Sequence, residues 1–341
     1  MQKDKTVVLK YRRKEKIWNQ WSVGKLIQLY ECPLAFYFRY LLRIKVPRNP
    51  HMVFGTAVHF MFKRFFDVNY QSPESFSGAW KHFWYGVAKA RGKHRHGPEG
   101  YSAPPVKINF RDPETEFYQL QAIGVNIMKK FYENNISFKV NELTPKTEIS
   151  FKIDFQGLRI IIKMDRIQPM EDGTEEIWEY KPRLPSKANM RDDAQLTLYN
   201  LAYKSKFGCD PSGLVIYNYK NGEKHWVKPR RNKYYVELAQ WLNEARAYVW
   251  GVLFWKQYQE QCKKFPFEYD FSQFRNFDFR NVESGVFSPR YFPNSNHCKM
   301  CDYYKQCWQW RNQHSQLSMV EKSIKIIQPR RKISIQQELF S

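Results

Sequence analysis

The stretch RIIIKMDRIQPMEDGTEEIWEYK, residues 159–181, decides the fold of this chain. Its two segments 159–168 and 176–181 are rich in β-branched and long apolar residues, and the Asp172-Gly173 pair between them favours a tight turn. The pattern predicts a β-hairpin. Because side chains two apart on a strand share a face, Glu179 and Lys181 are expected side by side, with Asp165 opposite them on the preceding strand.

This hairpin can carry chemistry. Two carboxylates at close range repel unless a cation lies between them, and oxygen ligands suit Mg²⁺ or Mn²⁺. A lysine beside them can orient a water molecule or stabilise charge on a phosphate, and cations around Lys181 are expected to depress its pKa. A solvated hairpin face is the alternative for such a short motif taken alone.

Composition narrows the class of protein. The chain has 341 residues, 43% hydrophobic and 17% aromatic, which excludes wholesale disorder. A formal charge of +23, from 56 Lys+Arg against 33 Asp+Glu, indicates a polyanionic partner such as nucleic acid. No apolar run reaches membrane-span length and no signal-peptide pattern is present, so we expect an intracellular protein, cytoplasmic or nucleoid-associated, without a membrane partner.

The remaining pattern predicts one mixed α/β domain over residues 21–312, between a basic arm at 1–20 and a basic tail at 313–341. Helices are expected after Ser22 and from Pro33, over 55–67, 73–91, 113–134, 189–206 and 234–261. Strands are expected from Thr147, in the hairpin described above, and in a second hairpin over 213–228. The fold predicted is a mixed β-sheet flanked by helices.

Six cysteines in a reducing compartment favour metal or cluster binding over disulfides. Three of them, Cys298, Cys301 and Cys307, form C-x2-C-x5-C, a spacing of thiolates typical of zinc or iron–sulfur sites. Both groups usually take four ligands. The other three cysteines, Cys32, Cys209 and Cys262, are all candidates for the fourth.

Taken in order, these motifs resemble the RecB-like branch of the PD-(D/E)XK nucleases, in particular its iron–sulfur members, the AddB nuclease domain and the CRISPR-adaptation nucleases. The matching residues are Cys32 in ECPLAFYFRY, His59 in FGTAVH, Asp165 followed by Arg-Ile, Glu179-x-Lys181, Gln195-x3-Tyr199 and the closing cysteine triplet. They span residues 32 to 307 in the order that the family shows.

The resemblance implies a restriction-endonuclease-like core in which His59, Asp165 and Glu179 hold one or two Mg²⁺ or Mn²⁺ ions. It implies that Lys181 positions or deprotonates the attacking water, and that Gln195 and Tyr199 orient the strand or the motif residues. It also selects Cys32 as the fourth ligand of a 4Fe–4S cluster. The cluster residues are then Cys32, Cys298, Cys301 and Cys307, closing the C-terminal segment onto the N-terminal helix.

The function implied is a metal-dependent DNA nuclease, an exonuclease acting on DNA ends or single strands in recombination, repair or replication. A structure-specific endonuclease and an inactive DNA-binding scaffold subunit are the alternatives. Arg39, Arg43 and Lys45 are the predicted DNA contacts. The chain lacks the phosphate-binding G-x-x-x-x-G-K motif, so any helicase would be a separate partner.

Two positions depart from the family pattern: Lys163 stands where a glycine often precedes the aspartate, and Pro182 follows the motif lysine. The tail adds a further motif, in which Gln336, Leu339 and Phe340 give the Q-x-x-L-F spacing that resembles sliding-clamp ligands. Packing of this Leu-Phe pair onto the protein's own core is the alternative.

Overall fold

The computed structural model describes residues 20–89, 108, 110, 112–186, 193–261, 298 and 301–313. The strands are β1 (Gln20–Ser22), β2 (Lys146–Phe155), β3 (Leu158–Pro169), β4 (Glu175–Lys181), β5 (Gly213–Asn218) and β6 (Lys224–Val227). The helices are α1 (Val23–Glu31), α2 (Pro33–Phe36), α3 (Pro50–Asp67), α4 (Pro73–Lys89), α5 (Pro113–Val140), α6 (Ala194–Phe207), α7 (Asn232–Gln261) and α8 (Tyr304–Gln313). A π-helical segment, Tyr37–Leu41, continues α2.

Several helices begin where a polar side chain caps their first turn. Ser22 accepts a hydrogen bond from the Lys25 amide at 3.3 Å, as expected for α1. The sequence placed the start of α3 at residue 55, which is wrong, because the helix begins five residues earlier at Pro50, with Asn49 as its N-cap. Helix α5 runs to Val140 rather than ending near residue 134.

The six strands form one mixed sheet in the order β1-β3-β4-β5-β6, with β2 paired to β3. Strand β2 runs antiparallel to β3 over almost its full length, so β1 and β4 share the other edge of β3. There β1 pairs with the first part of β3, at 159–161, and β4 with the last part, at 166–169. The residues between these two pairings face a gap in the sheet.

The predicted β3–β4 hairpin is confirmed. In its turn the Asp172 carboxylate accepts hydrogen bonds from the Thr174 amide and hydroxyl, at 2.9 and 2.6 Å. Gly173 has a φ of 78°, a conformation that favours glycine. The second predicted hairpin is also present, as β5 and β6.

Each face of the sheet carries its own core. On the aliphatic face, helices α1, α6 and α7 pack mostly leucine, valine and alanine against Ile160, Ile162 and Leu214. On the aromatic face, helices α3, α4 and α5 pack mostly phenylalanine and tryptophan against Trp178 and Tyr180. The side-chain alternation expected along β4 is therefore confirmed, since Ile177 lies in the first core and Trp178 in the second.

The C-terminal segment packs on the N-terminal helices. The Tyr303 ring lies 5.9 Å from that of Phe38, and its hydroxyl donates to the Ile44 carbonyl at 3.3 Å. The Asp302 carboxylate accepts a hydrogen bond from the Asn49 amide at 3.0 Å. This closure agrees with the predicted docking of the cysteine-bearing segment.

Other predictions concern the chain ends. Gln20, assigned to the basic arm, begins β1 instead. The rest of the arm, Cys262, and the tail motif Gln336, Leu339 and Phe340 lie outside the described residues. Within the part of the chain that the structure describes, no helix has both the length and the apolarity needed to cross a bilayer.

Candidate active site

The candidate site lies at the gap where β3 and β4 separate. The two strands are paired from Pro169↔Glu175 to Arg166↔Trp178 and diverge at the next residue, Asp165. The Asp165 carboxylate (Oδ2) accepts a hydrogen bond from the Tyr180 amide at 2.9 Å. The Asp165 side chain thus satisfies a backbone amide of β4 at the point where the pairing of β3 with β4 ends. This hydrogen bond holds Asp165 beside β4.

Side-chain alternation along β3 changes at this gap. Ile162 and Met164 face the aliphatic core, but the Arg166 guanidinium lies over the Trp178 ring, 4.2 Å from its centroid, on the aromatic face. The fully buried Arg166 also donates to Asn135 of α5 at 2.7 Å. Opposite Asp165 on β2, Glu148 has a φ of 54°, so both strands are irregular at this pair of residues.

His59 reaches the gap from α3. Its Nδ1 lies 3.1 Å from Asp165 Oδ1, and its ring packs edge-on against Tyr180 and Tyr219, with centroids 5.6 and 6.3 Å apart. Burial lowers the pKa of His59, but the adjacent Asp165 carboxylate outweighs burial and holds the pKa above its ordinary value. His59, which is held by the aromatic face, therefore places one nitrogen ligand atom at the gap.

The two carboxylates of the motif differ in their pKa values. Burial raises the pKa of Asp165, but His59 and the Tyr180 amide outweigh it and bring the pKa below its ordinary value. Burial and the neighbouring Asp165 raise the pKa of Glu179 to about 7. Two carboxylates forced together in a buried site are a setting in which a cation relieves their repulsion.

Helix α6 supplies the other half of the site through hydrogen bonds. Gln195 donates to Glu179 Oε1 at 2.9 Å and accepts from Lys181 Nζ at 2.7 Å. The Tyr199 hydroxyl lies 2.8 Å from Glu179 Oε2 and 2.7 Å from the Lys163 carbonyl. The structure therefore brings together all the residues that the sequence assigns to catalysis: Asp165, Glu179, Lys181, Gln195 and Tyr199.

Lys181 is placed next to Glu179, with Nζ 2.8 Å from Oε1. The expected depression of its pKa by bound cations stays a prediction, because the protein's own side chains have the opposite effect. Burial lowers the pKa of Lys181, but the carboxylates of Glu179 and Asp193 outweigh burial and raise it. The protein groups around this ammonium are therefore mainly acidic.

The donor set suits a divalent cation. Ligand atoms of His59, Glu148 and Asp165 all lie within 4.8 Å of one another. An imidazole nitrogen with carboxylate oxygens is a combination that Mg²⁺ and especially Mn²⁺ accept. The predicted ligand Glu179 is not one of these three residues; it takes part in the hydrogen-bond network around Lys181, and its role as a ligand stays a prediction.

Sequence reasoning missed Glu148, although a signal was present. The turn at Gln156-Gly157 pairs Phe155 with Leu158, and the same register carried along an antiparallel pair places Glu148 opposite Asp165. The register was therefore available from the turn alone.

A second candidate site lies where the segment 301–313 packs on the N-terminal helices. Cys32, Cys298 and Cys301 line a cavity of about 250 Å³ together with Arg39 and Tyr303. Burial, with smaller contributions from Cys32 and Cys307, raises the pKa of the Cys301 thiol to about 12. All four predicted cluster residues thus lie in one region. Cys209 is solvent-exposed.

One of the predicted DNA contacts, Arg39, lies at this cavity. Arg39 donates to Gln28 at 3.3 Å and lines the cavity, while Arg43 and Lys45 are exposed just beyond the π-helical segment. Arg43 has a φ of 55°. The three residues remain a predicted contact surface.

Comparison with known families agrees with this geometry. The family model of the PD-(D/E)XK nuclease superfamily matches residues 20–308, which include every site residue described above. The chain belongs to the PD-(D/E)XK nuclease superfamily. Nucleases of this superfamily use divalent metals, and the His59, Glu148 and Asp165 donors provide a fitting set.

Among solved structures, this superfamily member is similar to a protein of Eubacterium rectale described as a "putative exonuclease". The match has 12% sequence identity and a TM-score of 0.37, and it covers 84% of this chain and 89% of the other. Comparison with curated proteins gave no match.

Proposed function

We propose that this chain is a divalent-metal-dependent DNA nuclease that acts as an exonuclease on DNA ends or single strands, in recombination, repair or replication. The observation that carries the proposal is the assembly of an imidazole, buried carboxylates and an ammonium at one gap in the sheet, joined by hydrogen bonds. Membership of a nuclease superfamily supports the same class of reaction.

Each residue has a role in this proposal. Asp165 and His59, whose nearest atoms are 3.1 Å apart, serve as ligands of Mg²⁺ or Mn²⁺, and Glu179 faces the same gap. The bound cation supplies Lewis acidity, activating a water molecule and neutralising charge on the phosphate. Lys181 positions that water beside the scissile phosphate.

Gln195 and Tyr199 act through other side chains. Gln195 bridges Glu179 and Lys181, and Tyr199 fixes the second oxygen of Glu179. Side chains held by several hydrogen bonds are preorganised, so little orientational freedom is left to be lost when the reaction occurs. In this proposal they position the acid-x-Lys motif and do not touch the substrate.

The charge of the chain supports a nucleic-acid substrate. The excess of Lys+Arg over Asp+Glu gives a formal +23. Lys63 follows His59 by one turn of α3, and it is near enough to Lys163 to lower the pKa of that lysine, after the larger effect of burial. Basic residues around a metal site attract the phosphate backbone.

The decisive experiment is digestion of end-labelled linear DNA and covalently closed circular DNA with Mg²⁺ or Mn²⁺. We expect linear DNA to be degraded and circles to persist. Asp165→Asn and Lys181→Ala should lose cleavage by at least about 100-fold, while gel-shift binding survives because many basic contacts share it.

The alternatives give different results. Nicking of closed circles at the rate of linear digestion would indicate an endonuclease. DNA binding by the wild-type protein without cleavage under any metal condition would indicate an inactive scaffold subunit. Cleavage by both variants at the wild-type rate would refute the assignment of the site.

We also propose that Cys32, Cys298, Cys301 and Cys307 hold a 4Fe–4S cluster, with zinc as the alternative. The support is that Cys32, Cys298 and Cys301 line one cavity and that Cys307 lies near enough to Cys301 to affect its pKa. Anaerobically purified protein should contain about four iron atoms per chain, and Cys32→Ser should lose them, whereas the matched variant Cys209→Ser should keep them because Cys209 is exposed elsewhere. Stoichiometric zinc in place of iron would contradict the proposal.

Binding of a sliding clamp by Gln336, Leu339 and Phe340, and cooperation with a separate helicase, are further proposals from the sequence. A peptide of the last dozen residues should bind the clamp of the source cell. Equal binding by a peptide carrying Leu339→Ala and Phe340→Ala would exclude the motif.

A further inference from the structure

Glu148 lies in an unusual position for a strand residue. The register places it opposite Asp165, between the paired residues Thr147↔Arg166 and Ile149↔Met164. Its φ of 54° is a left-handed conformation that glutamate rarely adopts, and its side chain is only 17% exposed. Its carboxylate lies within ligand distance of the same ion as His59 and Asp165.

The Glu148 carboxylate is paired with Lys163. The ammonium of this lysine forms an ion pair with Glu148, while its side chain remains 59% exposed to solvent. Lys163 lies two residues before Asp165 on β3, so the same short stretch of backbone positions both side chains. An exposed ammonium can leave such a pair at small cost.

Glu179 is already engaged by other groups. Oε1 accepts from Gln195 and Lys181, and Oε2 contacts the Tyr199 hydroxyl. Glu148, by contrast, is paired in the described structure with a single, displaceable lysine. Together with Asp165 it supplies two negative charges, which match the charge of a divalent cation.

We infer that Glu148 is a further ligand of the divalent cation at His59 and Asp165, and that Lys163 competes with this cation for the Glu148 carboxylate. The inference rests on the proposed function, which places the cation there. The lysine lowers the affinity for metal and repels the cation by its own charge. Metal binding then releases Lys163 toward the solvent side of the site, where the phosphate backbone would approach.

The test is calorimetric titration of the full-length protein with Mn²⁺, without DNA. Glu148→Gln should weaken Mn²⁺ binding by about 10- to 100-fold, as loss of a group that holds a metal usually does. Lys163→Ala should tighten binding by up to about fivefold, the range that a partly exposed ion pair supports. In the Glu148→Gln background, Lys163→Ala should change the affinity by less than about twofold.

Lys146→Ala is the matched control. Lys146 also pairs with a sheet carboxylate, that of Glu175 at 2.9 Å, and its side chain is similarly exposed, so this variant removes the same charge away from the site. It should leave Mn²⁺ affinity unchanged within about twofold. If Lys146→Ala and Lys163→Ala tightened Mn²⁺ binding equally, the effect would be one of net charge. The proposed competition of Lys163 with the cation would then be wrong.

Asp165→Asn separates this inference from the proposed function. If Asp165→Asn loses Mn²⁺ binding while Glu148→Gln and Lys163→Ala bind like the wild type, the inference fails and the metal site stands. If the wild type binds no Mn²⁺, both fail. Lys163→Ala changes an exposed side chain and is expected to fold, so the test does not depend on the stability of Glu148→Gln alone.

Discussion

The two faces of the sheet hold the two halves of the site by different means. On the aromatic face, His59 rests on Tyr180 and Tyr219, within a core in which the Phe62 and Phe131 rings stack at 3.7 Å. On the aliphatic face, Gln195 and Tyr199 are joined to the motif residues by hydrogen bonds.

Ring packing and hydrogen bonds therefore both position this site, one on each face of the sheet. Aromatic rings have preferred contact geometries, so a shift of one ring is passed to its neighbours. Aliphatic side chains repack with less directional preference. We therefore expect substitutions on the aromatic face to disturb both stability and His59, and substitutions of the polar residues on the other face to affect mainly activity.

The largest effect is expected for Phe131→Ala. Phe131 is fully buried and touches the rings of Phe62 and Tyr180, so its loss should lower the free energy of unfolding by about 3–5 kcal/mol. Urea unfolding measures this. Leu198→Ala, at an equally buried site on the aliphatic face, should cost about 2–3 kcal/mol. A larger loss of unfolding free energy in Leu198→Ala than in Phe131→Ala would contradict the expected difference between the two faces.

A smaller effect is expected for Gly124→Ala in α5. An added Cβ would lie 2.1 Å from the Trp80 ring, which is fully buried, so we expect a loss of about 1–3 kcal/mol in urea unfolding. Gly78→Ala in the neighbouring α4 is the matched control, since its Cβ would meet nothing within 4 Å. That variant should gain about 0.5–1 kcal/mol from helix propensity. Equal effects of the two variants would show that the aromatic core yields to an added methyl group.

The smallest effect on stability is expected for Tyr199→Phe. The ring keeps its packing on the aliphatic face, and the loss of the hydroxyl, which lies within hydrogen-bond distance of Glu179 and of the Lys163 carbonyl, should cost about 1 kcal/mol. The cleavage rate should fall by about 10-fold or more, because Glu179 loses the group that orients its second oxygen. Unchanged cleavage in a clearly destabilised variant would mean that Tyr199 serves packing alone.

Local signals explain what the sequence predicted correctly. The Asp172-Gly173 turn and the strand patterns beside it were sufficient for the β3–β4 hairpin, and the four-residue spacing on α6 placed Gln195 and Tyr199 on one side. These features depend on neighbours close in sequence, where propensity and periodicity carry information.

Features that depend on distant parts of the chain were missed. β1 is three residues long and pairs in parallel with residues 159–161, a contact that no local pattern specifies. The left-handed backbone of Glu148 has no sequence signature, because glutamate rarely adopts it. The acidic surroundings of Lys181 include Asp193, which only the tertiary structure brings close.

The closure between the Asn49 amide and Asp302, 253 residues apart, has a consequence for synthesis of the protein. At a ribosomal rate of about 5–20 residues per second, about 13–50 seconds separate the emergence of these two partners. During that time Leu34 and Phe38 of the nascent chain lack Tyr303, against which they are buried in the finished fold. The N-terminal helices are therefore expected to be clients of ribosome-associated chaperones until the last segment arrives.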